Sequence, residues 1–178
     1  MCIRDRIYKV LSSNPEIDYL GIDYIRPFEG GYETIDKFVQ EMGIEVPDEW
    51  TDWPFKERML WLVKKIENRE DLSLAKKWNW WRARTGALIL KRIKEEAKIT
   101  RPFFAFMLTW KRGWQHGQDP VMLTQAGADY LGLMLYEASR EQFDTLIKDW
   151  HNYIERDDAN LIVGDVLDWP LHQLSREG

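Results

Sequence analysis

The chain has 178 residues, 44% of them hydrophobic and 31% charged, with a formal net charge of −5. Such a length suits one domain with a sizeable core, and mild acidity with both charge signs well mixed argues against nucleic acid as a partner. No apolar run approaches the ~20 residues of a membrane-spanning helix, and no low-complexity stretch or clean linker divides the chain, so no membrane partner is expected.

The first six residues, M-C-I-R-D-R, resemble the translated sequencing-adapter read-through found at the start of many metagenomic gene predictions. Residues 1–6 are therefore expected to be an artefact, and residues 7–178 to be the native part of one domain. Cys2, the only cysteine, falls inside the artefact, which leaves the rest without a disulfide or thiolate metal site. The lack of a signal peptide is then uninformative. Compartment stays open, a secreted or cell-envelope setting included.

The next segment, Ile17 to Ile25, reads as a buried strand that delivers Asp23 and then Arg26 and Pro27 at its far end. A charged pair at such an exit rarely serves packing, which makes Asp23 the first candidate for chemistry. A short helix is predicted from Thr34 to Met42, with Ile35, Phe38, Val39 and Met42 on one face and Gly43 as its stop. A second helix starts near Pro54 and buries Phe55, Met59, Leu62, Val63 and Ile66. A long helix follows to about Lys98, with Trp80, Ala83, Ala87, Leu90, Ile93 and Ala97 as its stripe. Pro102 to Trp110 is almost unbroken in its apolarity, as expected of a strand covered on both faces.

The loop after it, K-R-G-W-Q-H-G-Q-D-P, opens a short helix with Asp119 as N-cap, Pro120 in the first turn and Gly127 closing it. Ala128 to Tyr136 is the third strand. Ser139 and Gln142 form a capping box for a helix that buries Phe143, Leu146, Ile147, Trp150 and Ile154. Leu161 to Val166 is the fourth strand. Ten tryptophans stand out; their faces suit sugar rings, although packing explains any single one more economically.

Strands alternating with helices predict an α/β fold of parallel strands, either an open doubly wound sheet or a (β/α)₈ barrel. No glycine-rich phosphate loop follows any strand, which counts against the doubly wound nucleotide binders. Polar and aromatic residues gather instead at the C-terminal ends of the strands, which in a barrel form one mouth. These are Asp23 and Arg26, then Trp110, then Tyr136 and Glu137, then Asp165 and Asp168. A complete barrel takes about 250 residues, so four strands with covering helices make a partial TIM barrel, its C-terminal part.

The run I-D-Y-I-R-P-F resembles the strand-end signature D-Y-I-R, aromatic, Pro of glycoside-hydrolase-like (β/α)₈ domains, a loose group distantly akin to the α-amylase-like barrels. W-W-R-A-R before a helix, G-Q-D-P after the next strand and G-A-D-Y-L-G-L-M-L-Y in the third strand are similar to blocks of the same group, in the same order. The resemblance spans Tyr19 to Tyr136. It departs where Pro27 follows Arg26 directly and Phe28 comes after.

What the resemblance implies is glycosidic-bond cleavage by acidic residues at the barrel mouth, acting on an oligo- or polysaccharide without a cofactor. Glycosidases set two carboxyl groups astride the scissile bond, roughly 5 to 10 Å apart, one protonated as acid and one ionised. Asp23 would be the ionised member, with Arg26 turned inward to hold it so; a structural Asp23–Arg26 ion pair is the alternative. Glu137 is the first choice of acid and Asp165 the second. Strict alternation sets Tyr136 and Glu137 on opposite faces, so one of them points into the mouth. Arg26, Trp110, Gln118, Tyr136 and Asp168 are the expected sugar-binding residues, with Asp168 before Trp169-Pro170 also suited to a turn. His116 fits a solvated loop better than a ligand contact, and Asp119 is assigned to capping alone.

Other chemistries find less support. His116, His151 and His172 are scattered, so no metal site is expected. There is no nucleophile elbow for a serine hydrolase. The serious rival is a barrel that binds carbohydrate, or serves a structural role, without catalysis. Oligomeric state is not legible.

Overall fold

The computed structural model describes residues 3–26, 28–134, 140–154 and 160–164. Four strands, β1 (Leu20–Ile22), β2 (Phe103–Leu108), β3 (Tyr130–Met134) and β4 (Leu161–Gly164), form one sheet in the order β1-β2-β3-β4. Every pairing is parallel, with Gly21 opposite Phe104, Phe106 opposite Gly132 and Gly132 opposite Ile162. Each strand thus lies beside its predecessor, as in a barrel wall, with no reversal of order of the kind that marks a doubly wound sheet. The helices are α1 (Ile3–Ser13), α2 (Ile35–Met42), α3 (Phe55–Glu67), α4 (Leu72–Glu96), α5 (Pro120–Gln125) and α6 (Arg140–Ile154). The fold is α/β, an all-parallel sheet with covering helices.

Alternation along β2 sorts its side chains to two unlike faces. Phe103, Ala105 and Met107 are buried and join Leu131 and Leu133 of β3 in a core with Ala87, Leu90 and Ile93 of α4, Leu123 of α5 and Leu146 and Trp150 of α6. Phe104, Phe106 and Leu108 point the other way and are half-buried. Beside them on that face are Tyr130, Met134 and Ile162, the last 48% exposed. The unbroken apolarity of β2 is therefore explained differently than expected: both faces are apolar, but helices cover one and the other is half-open. Glycine makes the open face flat. A Cβ on Gly21 would come within 2.2 Å of the Phe104 ring, and one on Gly132 within 2.8 Å of the Phe106 ring, so each phenyl ring rests across a neighbouring strand.

The N-terminal edge of the sheet is closed by ties that involve no chemistry. Asp129 accepts hydrogen bonds from the Phe103 N–H at 2.8 Å and from Lys94 Nζ at 3.1 Å. Arg101 donates to the carbonyls of Asn14, Ile17 and Pro15. This is the stabilising end of such a sheet.

A second core lies between β1 and β2 in sequence. Ile35 and Phe38 of α2, Leu62 of α3, and Leu74, Trp78 and Trp81 of α4 enclose Trp50. Trp78 stacks on Tyr32 at 5.7 Å and on Trp81 at 5.5 Å, with Phe38 edge-on at 4.9 Å. The long helix α4 serves both cores, its C-terminal half on the sheet and its N-terminal half on the aromatic cluster.

Several sequence expectations need correction. Trp80 is 39% exposed while Trp78 and Trp81 are buried, because the sheet-facing stretch of α4 begins at Ala87 and Trp80 lies about two turns beyond it. Phe55 is 41% exposed, being the first residue of α3. Helix α1 was not anticipated; it begins within the adapter-like residues and packs Ile7 and Leu11 against the sheet core. Ser139, Tyr136, Glu137, Asp165 and Asp168 lie outside the described residues.

Candidate active site at the strand exits

The exit of β1 is a strained turn. Tyr24, not a glycine, sits at φ 53°, in the left-handed region that β-carbons disfavour, and its N–H donates to Asp23 Oδ1 at 2.7 Å. The Arg26 N–H donates to the Tyr24 carbonyl at 2.7 Å, and Ile25 is buried between them in the sheet core. Asp23 is thereby exposed to solvent, two residues beyond the register position that pairs Gly21 with Phe104. By alternation it belongs to the half-open face.

Arg26 does not turn to Asp23. Its guanidinium lies over the Tyr24 ring at 5.0 Å, a cation–π contact. Both the expected inward arginine that ionises Asp23 and the structural ion pair are replaced by this arrangement.

The exit of β2 runs straight into a 3₁₀ segment, Trp110–His116, that ends on Gly117 at φ 69°. Thr109 anchors it: its hydroxyl donates to the Met134 carbonyl at 3.3 Å, and its own carbonyl accepts from Trp150 Nε1 at 3.0 Å. Trp110 is half-buried and packs against the sheet core. Gln118 is 2% exposed and spends its amide on the strand, donating to the Phe106 carbonyl at 3.1 Å and accepting from the Leu108 N–H at 2.9 Å. Its expected sugar contact gives way to a backbone clamp. Asp119 is the N-cap foreseen for α5, accepting from the Met122 N–H at 2.9 Å, and it also accepts from Trp114 Nε1 at 2.9 Å.

The two exits meet on α4. A Cβ on Gly86 would stand 3.3 Å from the Ile25 carbonyl, and one on Gly117 would stand 2.9 Å from the Arg82 Cβ. Gly86 and Gly117 thus let helix and loops close up, with the left-handed backbone at Gly117 an added demand for glycine. Arg82, from the W-W-R-A-R block, is 5% exposed, donates from Nη2 to Asn79 at 2.7 Å and lies 5.5 Å over Trp78. Burial lowers its pKa from the ordinary arginine value, while Tyr32 and Glu67 raise it; a guanidinium stays charged in either case. The His116 imidazole has its pKa lowered, first by burial and then by the charges of Arg26 and Arg82, so it is neutral at pH 7.

Between these groups lies a cavity of about 240 Å³, lined by Tyr24, Ile25, Arg26, Trp81, Arg82 and Thr85 among others. Glu33 reaches it from the exposed side. Two other hollows, about 360 and 510 Å³, lie away from the strand exits. Of their acids, Asp71 is the N-cap of α4 and Glu41 is engaged by Trp81 Nε1 and Lys37, while Glu45 is exposed on a helix-side surface remote from the strand exits.

Reasoning from sequence missed Arg82 and Glu33 as residues of this site. The signal for Arg82 was present in the W-W-R-A-R block, since an arginine directly after two tryptophans within a long apolar-striped helix needs a reason. Glu33 carried no signal.

Among the described residues no group of histidine, cysteine and carboxylate side chains has the makings of a metal site, and no helix is long and apolar enough to cross a membrane. No family model matches the chain, and no match was found among curated proteins or solved structures.

Proposed function

We propose that this chain acts in glycoside hydrolysis, with Asp23 as the ionised carboxylate of the reacting pair. The observation that carries the reading is the solvent-facing Asp23 carboxylate at the C-terminal end of a parallel strand, held in place by a strained turn. Strain of this kind, about 1 to 3 kcal/mol, persists where surrounding structure enforces it and is concentrated at functional turns. In this reading Glu137 or Asp165, which follow the third and fourth strands in sequence, supplies the acid, and the pair separation sets a retaining or inverting outcome. Trp110 and the half-open aromatic face of the sheet supply surfaces on which sugar rings stack.

The rival, a module that binds glycan without cutting it, has one observation in its favour. The exit of β2 offers tryptophans and a histidine, and its acid, Asp119, is committed to capping and to Trp114. One experiment separates the two. Against a panel of oligo- and polysaccharides the chain releases reducing ends, and Asp23→Asn removes that activity while its circular dichroism is unchanged. Wild-type turnover by Asp23→Asn rejects the assignment; glycan binding without any turnover selects the rival.

A further inference from the structure

We propose that the cavity between Arg26 and Arg82 is a subsite for an acidic sugar, receiving a carboxylate carried on the ring. This deepens the glycan reading above and rests on it.

The cavity walls are largely apolar, formed by Ile25, Ile89, Gly86 and the buried Trp81, and two arginines, Arg26 and Arg82, complete the lining. Arg82 is fixed from behind by Asn79, by the Trp78 face and by the Gly117 backbone. Arg26 is fixed by the Tyr24 ring. Neither arginine must be ordered on binding, so less entropy is lost than with free side chains.

The lining charges also favour an anion. Within the lining Arg26 and Arg82 are set against one carboxylate, Glu33, on the exposed side, which leaves the lining net positive, with Glu67 acting on Arg82 from outside it. His116 feels both arginines strongly enough that they help keep it neutral. In a partly desolvated setting, hydrogen bonds between a guanidinium and a carboxylate are about twice as strong as neutral ones, and the planar fork fits the planar anion. A hydroxymethyl group at the same ring carbon gains no such contact. The cavity opens beside the same strand exit as Asp23, its lining beginning at the next residue, Tyr24.

The test uses the whole chain and four probes, the methyl glycosides of glucuronate, galacturonate, glucose and galactose. Binding is followed by NMR through the Trp81 indole and the His116 ring. At least one uronate is expected to shift both signals and to bind about tenfold more tightly than its neutral counterpart, the gain of a charge-assisted pair. Arg26→Gln is expected to erase that preference while leaving circular dichroism unchanged, and Thr85→Leu, which narrows the cavity without touching a charge, to weaken both sugars. Uronate and neutral sugar binding alike would overturn the subsite and leave the glycan reading standing. Failure of every sugar to bind would overturn both. Sodium sulfate binding as tightly as the uronate, or Arg26→Gln keeping the preference, would also overturn the acidic-sugar subsite.

Discussion

Gln118 shows how a residue near a cleft can look functional and be structural. Its side-chain oxygen takes the Leu108 N–H and its nitrogen reaches the Phe106 carbonyl, so the loop after β2 is buttoned onto the strand it has just left. Both residues lie beyond Ala105, the last residue of β2 in register with β1. Leucine has nearly the same shape and no polar atom, so Gln118→Leu leaves a donor and an acceptor unpaired at a site only 2% exposed. The expected loss is about 2 to 4 kcal/mol, one desolvation penalty for each group. An unfolding free energy, from urea denaturation, that falls by this amount supports the clamp. A variant of wild-type stability that has lost glycan binding would restore Gln118 to the sugar-binding residues. Asp119, by contrast, was readable in advance, because an acid followed by proline at the start of an apolar helix has one overriding local use.

At the level of elements, the sheet depends on glycines that leave room for phenyl rings. The Phe106 ring lies over Gly132, and a β-carbon there would meet it at 2.8 Å. Gly132→Val is expected to destabilise the chain by about 1 to 3 kcal/mol despite valine's preference for strands, since overpacking outweighs propensity. Phe106→Leu should recover part of that loss in a double-mutant cycle, and a cycle with no coupling would show that the ring is not the obstacle. The strands themselves were legible in sequence because β-branched and aromatic runs between turn formers have few other uses. β1 was foreseen from Ile17, yet ladder pairing starts only at Leu20, where β2 begins to run beside it. The stripe of α4 was right from Ala83 to Ala97 and wrong at Trp80. One period describes a helix with one partner, and α4 has two, the sheet and the aromatic cluster around Trp50. Nothing local reveals where one partner ends and the next begins. The same limit hid Arg82, whose meeting with Arg26 and His116 is made by three segments far apart in the chain.

For the molecule as a whole, the consequential feature is that, among the described residues, the helices that pack on the sheet lie on one side of it. The opposite face shows Phe104, Phe106, Leu108, Tyr130 and Met134 half-buried, with Tyr19 at 56% exposure packing edge-on against Tyr130 at 6.1 Å and Ile162 at 48%. A contiguous apolar surface of this kind is uncommon on folded chains, where patches above a few hundred Å² usually mark contact surfaces. Pairing through strand edges is a lesser hazard, because the two outer strands are only 3 and 4 residues long. The face, then, is what a hydrophobic probe should find. The native chain is expected to enhance the fluorescence of the dye ANS under conditions where its denaturation remains cooperative, which separates a native apolar face from a molten core. Tyr19→Lys combined with Ile162→Lys places two cations on that face at exposed positions and should reduce the emission at least by half, an effect on the order of the patch area removed. Lysine at Leu72, 62% exposed on the opposite, helical side, serves as the control and should leave the emission unchanged. Equal loss from both sets of substitutions would mean the dye reads general exposure, and no enhancement in the parent chain would mean the sheet face is covered in solution.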